Sequence, residues 1–168
     1  MNKQPEVWLR GAISGIPALL QPVAHAIRQA QDEIHALMDD FPTEQLWQKP
    51  AGMASPGFHL QHIAGVLDRM ATYAKGDVLK ESQFAYLKAE GVPNEDLSTT
   101  ALLENLDRQI ELFLEVLSSI DPATLTDFRG VGRAQLPSTV GGLLFHAAEH
   151  MQRHLGQLLV TVKVTLET

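Results

Sequence analysis

An all-α fold, arranged as a four-helix bundle, is what this sequence predicts, on three observations. Apolar residues recur at spacings of three and four over four long segments, the period of a helix with one buried face. No segment sustains the period-2 alternation of a half-buried strand. Proline, glycine and serine stand between the periodic segments, where helices start and stop.

The first helix is expected from about Pro17 to Asp39, on Leu19, Leu20, Val23, Ile27, Ala30, Ile34 and Leu37. Pro17 and Pro22 suit its first turn, where a missing N–H costs little. Asp39 to Pro56 reads as a loop, broken by Pro42, Pro50 and Gly52. The second helix has Ser55 to cap it, Pro56 at its first position and Gly76 after its last turn. Gly76 to Thr99 is a long connection, with a short helix expected around Ser82 to Glu90. A short loop would force the third helix to lie antiparallel beside the second. A long one permits a crossover.

The third helix runs from about Thr99 to Ser119, with Leu102, Leu106, Ile110, Phe113 and Leu117 on one side. Thr126 to Gln135 carries Gly130 and Gly132 and reads as a small hairpin or an irregular loop. The fourth helix is expected from Pro137–Ser138 to about Val164.

Length and composition fit one soluble domain over residues 1–168, with 45% hydrophobic residues. The net charge of -7 argues against a nucleic-acid partner and against an acidic membrane surface. With no cysteine, a disulfide framework, a thiolate metal site and a Cys nucleophile are excluded. Met1 to Arg10 has no apolar run of signal-peptide length, and no stretch reaches the roughly 20 apolar residues of a spanning helix. A cytoplasmic protein is expected.

Five of the seven histidines fall in two clusters. His59 and His62 lie on the second helix. His146, His150 and His154 repeat at i, i+4 on the fourth, which stacks their side chains on one face. Two imidazoles so placed can share one metal if a third ligand comes from another helix. Three protein ligands plus water is the open arrangement of catalytic metal sites. Imidazole suits Zn, Ni, Fe and Cu alike, so the metal is not selected. At ~100° per residue, His146 lies roughly 60° from Glu149 at the centre of the polar face, His150 roughly 100° and His154 roughly 140°. This favours His150 with His154. On the second helix His59 lies on the apolar stripe and His62 on its flank, and the angles leave both open.

Several segments together resemble the DinB/YfiT-like superfamily of small bacterial four-helix-bundle metalloproteins. They are Trp8 to Gly11, Ser55 to Ala64, Gly130 to Arg133, and His146 to Leu158. The most telling are Ser55 followed by His62-Ile63-Ala64, and His150-x-x-x-His154-Leu155-Gly156-Gln157. The resemblance implies His62, His150 and His154 as metal ligands, with His59 and His146 lining the site. Leu155 stands where the family usually has Arg. The resemblance also implies an up-down-down-up bundle and a homodimer. Characterised relatives include S-transferases and isomerases that use a low-molecular-weight thiol such as bacillithiol or mycothiol.

The leading functional expectation is therefore a metal-dependent thiol transferase acting on a small molecule, with Zn, Ni or Fe as its divalent ion. A second is a metallohydrolase, because His146-x-x-Glu149-His150 matches the H-x-x-E-H pattern in which Glu is the general base. A third is a non-enzymatic metal-binding or stress-related bundle. His59 and Glu149 are candidates for a base. Trp8 and Trp47 read as packing residues, and Asp32, Glu33, Asp39 and Asp40 as a solvated helix end. Arg133 reads as a surface residue, and His25 and His35 as histidines outside the ligand set. Gln157 reads as a support for the ligands.

Overall fold

The computed structural model describes residues 4–167. Met1 to Lys3 and Thr168, the ends of the expected 1–168 span and the start of the Met1–Arg10 segment, lie outside the described residues. Among the described residues, five α-helices and one two-stranded sheet, with short 3-10 turns between them, make up the regular structure: α1 (Gln21–Met38), α2 (Pro56–Ala74), α3 (Glu81–Ala89), α4 (Thr99–Ser119), β1 (Phe128–Val131), β2 (Leu136–Thr139) and α5 (Val140–Glu167). Among the described residues, no helix is long and apolar enough to cross a membrane.

The helices form where the apolar period runs. α1 buries Val23, Ala24, Ile27, Ala30, Ile34 and Met38, steps of one, three and four along one face. It begins later than expected, because Ala18–Leu20 forms a separate 3-10 turn before the α-helix starts at Gln21, with Pro22 in its first turn. α2 starts as its punctuation predicts. The Ser55 side chain accepts the Phe58 N–H, and Gly76 turns the chain away at φ +85°.

α2 packs against α5 and α4, and α1 packs against α5 and α4. α1 and α4 run antiparallel, since Arg28 reaches Glu111 while His35 reaches Asp107. α2 and α5 also run antiparallel, with His59 beside His154 and His62 beside His150. Ile27, Ile34, Leu60, Ile63, Leu106, Ile110, Phe113 and Leu144 fill the space between them, each essentially sealed from solvent. Each such side chain contributes about 1.5–3 kcal/mol by leaving water.

α2 is buried on more than its apolar stripe. α3 and the chain after it cover the polar face around Gln61, Asp68 and Thr72. Gln83 donates to Asp68 and Thr72, and Gln61 accepts the Gly91 N–H. The long connection thus folds back on α2.

The hairpin corrects one boundary. Pro137 and Ser138 belong to β2, paired with Gly130 and Arg129, not to the start of the fourth helix. The cap is Thr139, whose hydroxyl accepts the Gly142 N–H at 3.0 Å. Pro is compatible with an edge strand as well as with a first helical turn, so its presence did not separate the two. Trp47 is a packing residue, its ring lying over Gly57 and its Nε1 donating to the Asn94 carbonyl. Trp8 is not: it is 60% exposed and bonded to Glu6.

Candidate metal centre

The antiparallel pairing of α2 and α5 faces the two histidine clusters across the interface. Nitrogens of His62, His150 and His154 all lie within 4.8 Å of one another. His62 Nε2 and His150 Nε2 are 3.0 Å apart. The rings of His62 and His150 each lie 4.6 Å from that of His154.

Each side chain has a physical reason for its position. His154 is buried at 8% exposure, as its angle from the polar face requires, and His150 is half-buried. His62 leaves α2 on the flank of its apolar stripe and stacks on Phe58, with centroids 5.1 Å apart and planes 13° apart. Its Nδ1 lies 2.6 Å from Glu90 Oε2. A carboxylate only accepts, so in the neutral ring Nδ1 carries the proton and Nε2 presents its lone pair toward His150. His59 is buried against His154, Nδ1 to Nδ1 at 3.0 Å, and stands behind the cluster rather than in it.

The residues present fit a divalent cation. Three imidazoles from two helices converge, and the 3.0 Å approach of the two Nε2 atoms is near the roughly 3.3 Å nitrogen–nitrogen edge of a tetrahedral zinc site. His150 Nδ1 is buried without a hydrogen-bond partner among the described residues, while its Nε2 faces that of His62. Metal binding requires unprotonated rings. Burial, reinforced by the charge of His62, lowers the pKa of His59 to about 4. Burial and then His62, His146 and Arg153 lower His150 to about 4. Burial and then His62, His150, His59 and Arg153 lower His154 to about 3.

These values set a pH dependence for the metal-free protein. An unfolded histidine titrates near about 6.5. Between about 6.5 and about 4 the unfolded chain takes up protons that folded His59, His150 and His154 refuse, so stability falls as the pH falls through that window. His35 acts oppositely. Burial works against its charge, but Asp107 and Asp39 outweigh it and raise its pKa, so its contribution is complete below about 6.5 and lost as the pH rises through the raised value. The expected result is a melting temperature that falls from about pH 7 to about pH 5, and a flatter profile in the triple variant His59→Gln/His150→Gln/His154→Gln. A wild-type profile already flat over that range would contradict this account.

A second group, His146, Glu149 and His150, also offers ligand atoms within 4.8 Å. Glu149 is already engaged. Arg153 grips both of its oxygens at 2.9 and 2.8 Å, and His146 Nδ1 lies 2.9 Å away. Burial pushes its carboxyl up, but the hydrogen bonds and charges of His146 and Arg153 together outweigh it and hold the carboxyl below the usual range.

A profile of the DinB superfamily matches residues 26–158, a span that includes every one of these histidines. The chain belongs to the DinB superfamily. A crystal structure of a conserved protein from Enterococcus faecalis shares the fold, with a TM-score of 0.72, 18% identity and coverage of 89% of this chain and 98% of that one. A comparison with curated proteins returns no match.

Within this DinB-superfamily chain, the expectation that Gln157 supports the ligands is not met by contacts. Gln157 is exposed and makes no hydrogen bond with the cluster among the described residues; it lines a cleft of about 560 Å³ beside His59. Arg133 is exposed on the hairpin turn. His25 bonds to the Gly11 carbonyl and His35 to Asp39 and Asp107, both away from the cluster. Glu90, Arg69 and Phe58 are the residues the sequence did not disclose. The only hint was Gly65, because a glycine inside a helix costs about 1 kcal/mol relative to alanine and is kept where something approaches closely. Here Glu90 and Arg69 occupy the space of its missing Cβ.

Proposed function

We propose that this chain is a metal-dependent transferase acting on a small molecule, with a low-molecular-weight thiol as co-substrate, and that His62, His150 and His154 hold its divalent ion. The observation that carries the reading is the convergence of those three imidazoles, with His62 and His150 Nε2 at 3.0 Å. A divalent ion held by three neutral imidazoles supplies Lewis acidity, which lowers the pKa of a thiol bound to it or polarises a carbonyl. The protein's own part is to keep His150 and His154 unprotonated by burial, fix the directions of the three rings, and leave the side toward half-exposed His146 open to substrate.

The reading includes a single domain over 1–168, an up-down-down-up four-helix bundle with the long crossover between α2 and α4, a cytoplasmic location and a homodimer. The antiparallel α1/α4 and α2/α5 pairs support the bundle topology. The resemblance to thiol-using relatives supports the reaction class. Zn, Ni and Fe all suit the donor set.

The metallohydrolase reading has the His146, Glu149 and His150 group in its favour. It requires Glu149 as a free base, and Arg153 and His146 bind that carboxylate instead.

Protein reconstituted separately with Zn, Ni or Fe(II) is the sample to test, against bacillithiol or mycothiol paired with alkylating and carbonyl electrophiles. Metal-dependent loss of thiol titre, absent in His150→Ala, is the expected result. A metal-replete protein inert with every pair would count against the transferase. Metal lost in His146→Ala but kept in His154→Ala would favour the hydrolase.

A further inference from the structure

The least explained buried group is a carboxylate. Glu90, on the connection after α3, has a side chain only 3% exposed. One oxygen lies 2.6 Å from Arg69 Nη1, itself 8% exposed, and the other lies 2.6 Å from His62 Nδ1. A buried ion pair is a poor source of stability, because an apolar pair of the same volume is often as good or better. Stability therefore does not account for a charge here, and the His62 contact does.

We propose that Glu90, with Arg69 as its fixed counter-ion, is a positioning residue that raises the affinity of the three-histidine site for a divalent cation by holding the proton of His62 on Nδ1 and turning Nε2 toward His150 and His154. The inference rests on the metal reading above. Free imidazole places its proton on either nitrogen, and the partner of one nitrogen decides which other nitrogen is left to bind. A carboxylate behind a ligating histidine makes that choice and increases the basicity of the ring. Phe58 fixes the plane of the His62 ring by stacking, and Glu90 fixes its direction within that plane.

Other contacts serve the same placement. The Gly91 N–H donates to Gln61 Oε1 at 2.8 Å, one residue beyond Glu90 and one before His62. A Cβ at position 65 would collide with Glu90 Oε1 and Arg69 Nη1, so glycine is the gap through which the pair forms. Arg69 occupies one oxygen of the carboxylate and leaves the second to His62.

The test is zinc affinity by chelator competition for wild type, Glu90→Gln and the double variant Glu90→Gln/Arg69→Met. The double variant removes both charges and so strands neither. Both are expected to bind zinc about 10–100-fold more weakly, with the double variant melting at or above wild type. A double variant that binds within about threefold of a zinc-binding wild type overturns this inference alone. A wild type that binds no zinc overturns the metal reading and this inference together. Nitrogen-15 NMR of zinc-loaded wild type gives a readout that needs no variant: His62 is expected with its proton on Nδ1 and zinc on Nε2. The reverse tautomer overturns the proposal, and an ion pair with a purely structural role would not set it.

Discussion

Alanine at His62, His150 or His154 is expected to strip the protein of near-stoichiometric metal, while His59→Ala and His146→Ala retain it. Each of the first three contributes a nitrogen to the group gathered within 4.8 Å, and loss of any one leaves two donors from an open site. His59 only backs His154 through Nδ1, so its removal is expected to weaken affinity by up to about 10–100-fold without emptying a loaded site. His146 is bonded to Glu149, and its side chain is 45% exposed. The check is metal content by mass spectrometry on untagged protein after reconstitution. Absence of metal from wild type, with all five variants folded, would sink the metalloprotein reading.

The largest loss of stability is expected from Phe113→Ala. Phe113 is 1% exposed among Leu106, Ile110 and Leu117 of the same helix and the helices packed on it. Truncating it removes the transfer energy of a ring and leaves a cavity, about 3–5 kcal/mol in all. That is a large part of the roughly 5–15 kcal/mol that a domain has. Phe145, on α5 and 65% exposed, is the control, with an expected change within about 0.5 kcal/mol. Urea unfolding should show a lower midpoint for Phe113→Ala with an unchanged slope. A loss under about 1 kcal/mol would mean that the ring is not sealed in the core.

Much of the helical layout was legible because it rests on local rules. The three-four period of α1, Ser55 before Pro56, and Gly76 at positive φ each act within a few residues. The same holds for His150 and His154, whose spacing on one helix fixes their shared face. Between His59 and His62 the helical period left both open. Their different roles come from what lies opposite: His154 behind one, His150 and Glu90 around the other. Glu90 stands 28 residues from His62, outside any helix the two share, and no periodicity links them. β2 was misread as the start of a helix because pairing with β1 outweighed a proline that fits either element.

The return of the chain through α3 to Glu90 constrains how this protein tolerates change in length. Connecting segments ordinarily accept insertions and deletions more readily than the elements they join. The Gly132–Gln135 turn of the hairpin is such a place, since it carries no part of the cluster. The stretch from Tyr86 to Gly91 is not. Tyr86 is tied to Asn105, Glu90 to Arg69 and His62, and Gly91 to Gln61. One residue added or removed there would carry the carboxylate away from the imidazole while leaving every helix of the core in place.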